Sequence, residues 1–578
     1  MVVRPAFRAH IPRVTPLHWW CLGLISLLVL GAGLGLRHPW SPDEPRYVLI
    51  AREMLSTGQW LIPHRAGELY PDKPPLYFWL VALAQLVTGN PKAFLLPSLL
   101  AGLGTQALVA DLARRLYGAR IGLLAGMALL ITTQFTLQAK SAQIDMTVTF
   151  FITLGVYGLL RHALLGPARR WWYTGFIAMG LGIMTKGVGF LPLLMLPAWA
   201  LLHWRRPAGP WRPHPLKAKE LAGGLGLLVL TLSLWVVPMV IYTTWLHPDP
   251  ALAAYRDNIL FKQTGQRYAD SWAHVQPAWY FIVDVLPWAW LPWTLTLPWV
   301  APSLWRRVRR ADARVWLPMS MLGLMLLFFS MSPGKRGVYM TPTAPLLILI
   351  LAPLLPGLLR AAWPNRLCWW LAMTGGAVLG LVGLLGAAGL PSLTRLAAEE
   401  GLSPWAWWGV TGALTLGLAL FIRPRQGLML YTPWILLCWL GWSLVGYAQM
   451  DTTRSAASLM REVVAVTGAR STLALSTNNE SAMLEARQPV VTAGIHAGSD
   501  EEFERFSGWI RQAPASRFML VDYHELDDHP CVDPTRSHRL THGGDDWALI
   551  PAAALETCPA SSYGVSVIPA PPLAMTPP

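Results

Sequence analysis

The sequence predicts a polytopic α-helical membrane protein that carries a small soluble α/β domain at its C-terminal end. Of its 578 residues, 54% are hydrophobic and 13% are charged, whereas a typical soluble protein has about 25% charged residues. Long apolar runs alternate with short loops, and the 31 Trp residues fit a chain with many helix ends at a membrane surface. The net charge of +15 does not indicate nucleic-acid binding, because the basic residues lie in the short loops between the apolar runs.

The first apolar run, 17–36, follows a stretch with three arginines and has about the 20 residues that span a bilayer. It lacks a convincing signal-peptide cleavage site, so we expect an uncleaved first helix with the N-terminus in the cytoplasm. The next apolar run, 76–88, is too short to span. We expect it to be a juxtamembrane or re-entrant helix inside a first external loop that covers residues 37–92.

A helix that begins near residue 93 and eleven later runs complete a prediction of 13 spans. This odd number places the C-terminal domain on the external side, together with the first loop. The cytoplasmic loops then hold most of the loop Arg and Lys residues, as the positive-inside rule requires. If two short neighbouring runs join, the count changes by two. The later runs lie at 121–138, 146–161, 171–184, 188–203, 221–245, 280–300, 315–331, 339–355, 367–389, 404–421 and 427–447.

We divide the chain into a transmembrane domain, 1–449, and a soluble domain, 450–578. The last residues are Pro-rich and are predicted to be disordered. Cys531 and Cys558 would both be external, where a disulfide can form, although the sequence does not give the distance between them. Apolar spacing predicts strands at 471–476, 517–523 and 547–550, and helices at 455–466 and 501–512.

The charged residues of the external loops are few, and several lie at the ends of apolar runs. Asp43 and Glu44 follow the first helix directly, while Asp72 and Lys73 precede the run 76–88. An ionisable group at such a position is costly unless it is paired or functional. For each residue alone, the alternative is an ordinary helix-end charge in the headgroup region.

Taken together, these residues predict a site on the external face of the membrane. Its cations would hold phosphate groups through charge-assisted hydrogen bonds, and its acids would bind a sugar or a metal. The loop SPGKRGVYMTP lacks the spacing of a Walker motif, so an ordinary tight turn is the alternative there. The candidate acids are Asp43, Glu44 and Asp145, and the candidate cations are Lys73, Arg256, Lys335 and Arg336.

A metal is a second expectation for this face. His274 lies just before the run 280–300 and can pair with an acid of the first loop to hold zinc or magnesium. A structural His is the alternative. Nothing else in the sequence requires a cofactor, since the five cysteines make no CxxC or Cys/His metal pattern.

Four segments together resemble the aminoarabinose lipid A transferases: PDEPRYVLIAREML, YPDKPPLYFWL, the acid of IDM, and SPGKRGVYMTPTAP. That family is part of the polyprenol-dependent GT-C glycosyltransferases, which also include the protein O-mannosyltransferases. The resemblance covers nearly the whole chain, with many spans, a large first external loop and a C-terminal external domain. It implies a GT-C fold for residues 1–449, which would form the catalytic domain.

The resemblance implies transfer of 4-amino-4-deoxy-L-arabinose from undecaprenyl phosphate to a lipid A phosphate, at the periplasmic face of a bacterial inner membrane. The partners would be the lipid-linked donor, the lipid A acceptor and membrane lipids. Asp43 matches the principal catalytic acid, with Glu44 beside it, and Asp145 matches the second external acid. Asp72 stands where relatives often have Glu and, with His274, matches a metal site. The residues that match the lipid-phosphate site are Arg46, Tyr47, Tyr70, Lys73 and Tyr339.

Two other functions share much of this pattern. Protein O-mannosyl transfer would need Asp43 as a base for a Ser or Thr hydroxyl, whereas a lipid A phosphate is already an anion and needs none. A transporter of lipid-linked sugars is expected to have charges near the middle of the membrane, and Asp284 is the only charged residue within a predicted span. The sequence therefore favours the lipid-to-lipid transferase.

Overall fold

The computed structural model describes residues 14–205, 212–266, 274–494, 497–561 and 564–568. The predicted α-helical membrane protein is confirmed. Within these ranges eight helices are long and apolar enough to cross a membrane, or nine if one bent pair is a single span. The predicted N-terminal arginines and Pro-rich end lie outside the described residues. The eight helices are Pro91–Tyr117, Ile144–Leu165, Val188–Arg205, Ala218–Leu246, Ala313–Met331, Gly337–Leu358, Ala362–Ala387 and Pro424–Thr467.

The first helix, α1 (Pro16–Gly31), leads into a loop that contains α2 (Glu44–Thr57) and α3 (Leu76–Thr88). As expected, α3 has only 13 residues. The helices that follow are α4 (Leu96–Tyr117), α5 (Ala119–Leu130), α6 (Thr133–Ala139), α7 (Ile144–Leu165), α8 (Arg169–Lys186), α9 (Met195–Arg205), α10 (Ala218–Ile241) and α11 (Pro250–Asp257). The predicted span 121–138 consists of α5 and α6, which meet at an angle of 71°.

Prolines divide the run that we predicted as one span at 280–300. Because Pro lacks an amide hydrogen and clashes with the preceding turn, it interrupts a helix, and Pro287, Pro292 and Pro298 fall in this run. The run consists of a π turn Phe281–Val285, α12 (Leu286–Ala289), a 3₁₀ turn Trp293–Thr296 and α13 (Leu297–Arg309).

The later helices carry the chain to the soluble domain. They are α14 (Ala313–Met331), α15 (Thr343–Leu351), α16 (Leu355–Leu358), α17 (Ala362–Ala387), α18 (Pro391–Glu400), α19 (Trp405–Phe421), α20 (Gly427–Gly441) and α21 (Tyr447–Arg454). A π turn, Trp442–Gly446, joins α20 to α21, so helix continues through the predicted domain boundary at residue 449. Because α1, α3 and α19 are shorter apolar helices, the total of 13 spans stays a prediction.

The C-terminal residues form a six-stranded mixed sheet with the strand order β6-β7-β5-β3-β4-β8. Its strands β3 and β4 are parallel, as are β3 and β5, and the other pairs are antiparallel. A disulfide joins Cys531 to Cys558. The strands are β3 (Thr472–Leu475), β4 (Val490–Thr492), β5 (Arg517–Asp522), β6 (His538–His542), β7 (Asp545–Pro551) and β8 (Ser566–Val567), and the helices are α22 (Ala457–Thr467), α23 (Glu480–Glu485), α24 (Ser499–Arg511) and α25 (Glu525–Asp528).

The first external loop and the C-terminal sheet share one hydrophobic core. Tyr47 and Ile50 of α2, and Phe78 of α3, belong to the same buried cluster as Leu475 of β3 and Leu484 of α23. Burial of apolar surface is the main favourable term in docking two such units. The C-terminal domain is therefore fixed against α2, the helix that follows Asp43.

A small hairpin of β1 (His64–Arg65) and β2 (Glu68–Leu69) packs beside α2. Its turn residues, Ala66 and Gly67, have φ angles of 54° and 82°, as a type I′ turn requires. The buried carboxylate of Glu53 accepts hydrogen bonds from the amides of Ala66 at 2.7 Å and Gly67 at 3.2 Å. This contact fixes the hairpin to the helix.

Candidate functional site

The first acid of the site, Asp43, lies immediately before α2 and is paired with a distant loop. Its Oδ2 accepts hydrogen bonds from Arg336 Nη2 at 2.5 Å and from Gln143 Nε2 at 3.1 Å. Burial alone would lower the pKa of Arg336, but the hydrogen bond and charge of Asp43 raise it. The predicted acid and the predicted loop cation thus form an ion pair.

The second acid, Asp145, lies in the first turn of α7 and forms an ion pair with Lys186, the last residue of α8. The Lys186 ammonium lies 4.4 Å from the centre of the Tyr339 ring. Tyr47 lies close to both acids. Burial raises the pKa of its hydroxyl, and the charges of Asp43, Tyr70 and Asp145 raise it further. The two ion pairs therefore face one buried tyrosine.

Glu44 has different surroundings from its neighbour Asp43. It forms a buried ion pair with Arg37, whose Nη2 donates to Oε1 at 2.8 Å. It also accepts hydrogen bonds from the backbone amides of Trp40 at 2.9 Å and Ala142 at 2.8 Å. Because these donors occupy both oxygens, Glu44 joins the end of the first helix to the α6–α7 connection. These contacts are those of a residue that supports the site, and the catalytic role of Glu44 stays a prediction.

The residues predicted around a lipid phosphate form a second cluster along α2. Arg46 Nε donates to Glu480 Oε1 at 2.7 Å, and Arg65 Nη1 donates to the same oxygen at 3.1 Å. Tyr70 is buried; burial raises the pKa of its hydroxyl, Asp72 adds to this shift, and Arg46 and Arg65 oppose it. Lys73 is half-buried in the turn before α3.

Two other predicted cations have local partners. Lys335 is buried, and its Nζ donates to the carbonyl oxygen of Gln276 at 2.7 Å. Arg256 donates to Asp257 at 2.8 Å and to Thr244 at 2.8 Å. Within the described ranges neither side chain contacts Asp43 or Asp145. Lys335 therefore holds two external segments together, and Arg256 lies outside the acid cluster.

The residues around the predicted metal pair do not make a complete ligand set. Asp72 accepts a hydrogen bond from Gln263 at 3.3 Å, and His274 is exposed, with its carbonyl oxygen bonded to the amide of Lys335 at 2.9 Å. Among the described residues no group of three or more His, Cys, Asp or Glu side chains could hold a metal ion, whereas zinc in proteins takes three or four such ligands. Asp72 and His274 alone thus do not complete a zinc ligand set, and the metal stays a prediction.

Several residues of the site were not among the predicted site residues. Arg37 and Gln143 lie a few residues from predicted acids, and Lys186 is a charged residue at the end of an apolar run, so position along the chain was a usable signal for these three. No comparable signal points to Arg65 or Glu480, which meet across 415 positions of the chain.

Comparison with known proteins agrees with the expected family. Residues 22–252 match the family model for dolichyl-phosphate-mannose-protein mannosyltransferase. The undecaprenyl phosphate-α-4-amino-4-deoxy-L-arabinose arabinosyl transferase 1 of Pseudomonas fluorescens is 32% identical over 381 residues, which cover 64% of each chain. The similarly named transferase of Edwardsiella ictaluri is 28% identical over 496 residues, which cover 83% of this chain and 82% of that protein. The chain thus spans less than two thirds of the first relative's length.

Two solved structures share the fold. The structure of ArnT from Cupriavidus metallidurans bound to undecaprenyl phosphate is 20% identical, with a TM-score of 0.70, and covers 93% of this chain and 98% of its own. The apo structure of the same protein is 21% identical, with a TM-score of 0.71, and covers 94% of this chain and 99% of its own. The chain therefore has the fold of these two structures, as the resemblance implied.

Proposed function

We propose that this chain, which is of the ArnT type and has the GT-C fold, moves 4-amino-4-deoxy-L-arabinose from undecaprenyl phosphate to a lipid A phosphate. The observation that carries this proposal is the joining of two acid–cation pairs around Tyr47, Asp43 with Arg336 and Asp145 with Lys186. Acids suit an amino sugar and cations suit phosphates, and the site has both. The names of the relatives, which specify this donor, support the same choice.

We place the reaction at the periplasmic face of the inner membrane, with the N-terminus in the cytoplasm. Asp145 is in the first turn of α7, and Arg161 lies 16 positions later, about 24 Å away along the helix at 1.5 Å per residue. Arg161 bonds to Tyr157, which bonds to Asp111 near Arg114. Because this end of α7 is rich in arginine, we assign it to the cytoplasmic side. The opposite end, with Asp43 and Asp145, is then periplasmic.

The proposed step is a direct displacement. An oxygen of the lipid A phosphate forms a bond to the anomeric carbon of the sugar, while the bond from that carbon to the donor's phosphate oxygen breaks. The electron pair of the broken bond leaves with undecaprenyl phosphate, and the anomeric centre is inverted. No proton has to be removed, because the attacking phosphate is already an anion. The protein's task is then to orient the two lipids and to stabilise charge as it develops.

Each charged residue has a separate part in that task. Asp43 and Asp145 carry negative charge towards the sugar, where they would hold its ammonium and stabilise positive charge developing at the anomeric carbon. Arg336 holds the Asp43 carboxylate in place through their ion pair. On the donor side, Arg46 and Lys73 would bind the departing phosphate.

The test is lipid A modification in a Gram-negative strain that lacks its own transferase. We expect the wild-type chain to add the mass of aminoarabinose to lipid A, read by mass spectrometry. Asp43→Asn keeps an acceptor for Arg336 but removes the charge, and we expect it to lower transfer at least about 100-fold. Asp500→Asn, at an exposed position on α24, is the matched control with normal transfer. No increment from properly inserted wild-type protein, or normal transfer by Asp43→Asn, would contradict the proposal.

Protein O-mannosyl transfer is a second candidate, favoured by the family model that matches residues 22–252. It differs in its acceptor, because a Ser or Thr hydroxyl must lose a proton. Asp43 is the available base, but its carboxylate already accepts hydrogen bonds from Arg336 and Gln143. Mannosylated peptides in place of modified lipid A, in the same strain, would favour this second function.

A further inference from the structure

One acid of the C-terminal domain reaches into the first external loop. Glu480 is the first residue of α23 and is only 6% exposed. Its Oε1 accepts hydrogen bonds from Arg46 Nε at 2.7 Å and Arg65 Nη1 at 3.1 Å. We propose that Glu480 is a positioning residue, which orients the Arg46 guanidinium so that its two terminal nitrogens bind the donor's phosphate. This inference rests on the proposed function, since it assigns the phosphate of that donor to Arg46.

The geometry of the contact leaves the binding edge of Arg46 available. A guanidinium is planar, with one N–H on Nε and four on the two terminal nitrogens. Glu480 takes the Nε hydrogen, which fixes the plane of the group. Among the described residues no other acceptor bonds to Arg46, and its side chain is 30% exposed whereas that of Glu480 is 7% exposed. The two terminal nitrogens form the fork that recognises phosphate in a bidentate manner.

The local charge also favours an anion. One carboxylate, Glu480, lies against two guanidinium groups, Arg46 and Arg65, so the three side chains together carry a net charge of +1. Burial by itself would lower the pKa of Arg46, but the hydrogen bond and charge of Glu480 raise it. Glu480 therefore holds Arg46 in its charged form without cancelling the charge of the cluster.

This cluster adjoins the two acid–cation pairs. Asp43 is the residue immediately before α2, and Arg46 follows it by three positions in the first turn of that helix. The charges of Tyr70 and Tyr47 both act on Arg46, and that of Asp43 acts on Tyr47. Tyr47 would thus lie between a phosphate bound by the Arg46 fork and Asp43, the acid assigned to the sugar. A donor in which a sugar is joined to a phosphate requires this arrangement.

The same interface provides a control for simple docking of the domain. Arg52, six residues after Arg46 on α2, donates to the carbonyl oxygen of Leu484 in α23 at 2.6 Å. This contact ties the same two helices together but lies about 9 Å further along α2, at 1.5 Å per residue. If Glu480 only docks the domain, loss of Arg52 should have the same effect as loss of Glu480.

The experiment measures binding of undecaprenyl phosphate to the purified full chain in detergent, with thermal melting of each variant. We expect Glu480→Ala to weaken binding about tenfold, because the hydrogen bond that orients Arg46 is lost. Glu480→Gln retains an acceptor oxygen, and we expect most of the affinity to return. Arg52→Gln should lower the melting temperature and leave the affinity unchanged. In an Arg46→Ala background, Glu480→Ala should change the affinity less than about twofold, since coupled residues are not additive.

Each outcome decides one question. Unchanged affinity in Glu480→Ala, while the wild type binds, would overturn the positioning role and leave the proposed function intact. Equal loss of affinity in Glu480→Ala and Arg52→Gln, in step with melting temperature, would also overturn it in favour of domain docking. The positioning role would also be overturned if Glu480→Ala lowered the affinity by the same factor in the Arg46→Ala background as in the wild type. A folded wild type that does not bind undecaprenyl phosphate would instead overturn the proposed function, and the positioning role with it.

Discussion

Acids at the two ends of α7 differ in how their charge is balanced. At the arginine-rich end, the half-buried Asp111 is paired with Arg114 and Arg115, three and four positions away. At the other end, among the described residues, the buried Asp43 has one cation, 293 positions away, and the buried Asp145 has one, 41 positions away. A second acid of the arginine-rich end, Asp312, repeats the local pattern with Arg307 and Arg314.

The sequence distance to the paired cation separates acids that stabilise a helix end from acids that form a site. A local pair forms whenever its own helix end forms, so it needs no assembled fold. Arg314 also packs 5.1 Å from the Tyr117 ring, which ties the Asp312 pair to the end of α4. A pair between distant loops exists only after the loops have met. Asp43 and Asp145 are therefore the acids of this comparison whose pairing depends on the assembled fold, as a substrate site does.

The largest expected effect tests this contrast directly. We expect Asp145→Asn to lower aminoarabinose transfer to lipid A at least about 100-fold, because Lys186 loses its counter-charge and the sugar loses an acid. We expect Asp312→Asn to keep transfer within about threefold but to lower the melting temperature, since burial of Asp312 depends on its two arginines. Mass spectrometry of lipid A and thermal melting in detergent measure the two effects. Similar losses of transfer in both variants would remove the distinction.

A prediction of intermediate size concerns the neighbours Asp43 and Glu44. Glu44 has a buried ion pair with Arg37 and two backbone donors, so removing its charge leaves Arg37 buried without its counter-charge. We expect Glu44→Gln to lower the free energy of unfolding by about 3–5 kcal/mol, while the folded fraction keeps transfer activity. Asp43→Asn should show the reverse, with transfer lost and stability nearly kept. Melting curves together with transfer per folded molecule measure this. A Glu44→Gln variant that is stable but inactive would return Glu44 to the reacting role.

The positions of the reacting acids were predictable because they depend on helix ends. Asp43 and Asp145 stand beside apolar runs, where an unpaired charge is costly, and hydropathy locates those runs. The loop with Arg336 was predictable for the same reason. What hydropathy cannot give is which loop touches which. Asp43 and Glu44 were therefore predicted to share one role. In the fold Glu44 pairs with Arg37 and Asp43 pairs with Arg336, so the two acids have different surroundings.

Other differences between the predicted and the observed elements have either a local cause or a long-range one. The run 280–300 is apolar throughout, so hydropathy predicts one span, but its prolines divide it into turns and short helices. Glu480 lies in a domain that the sequence separates from the membrane part, and only the shared core around Tyr47 and Leu484 brings it to Arg46. Strand β4 is only three residues long, too short for an alternation of apolar and polar residues to be recognised.

The smallest expected effect extends the comparison to an acid with no direct cation partner, Glu53. Burial raises its pKa from the ordinary 4.5 to about 7, against hydrogen bonds from Gly67 and Ala66 and the charge of Arg65. Between these values the folded state binds more protons than the unfolded state. The contribution of Glu53 to stability is therefore fully present below about pH 4.5 and is lost as the pH rises through about 7. We expect amide exchange at Ala66 and Gly67, corrected for its intrinsic rate, to be faster at about pH 8 than at about pH 5. Glu53→Gln should remove this pH dependence and Asp500→Asn should keep it. Equal protection in the wild-type hairpin at both pH values would show that Glu53 does not change its charge between them, which would contradict the prediction.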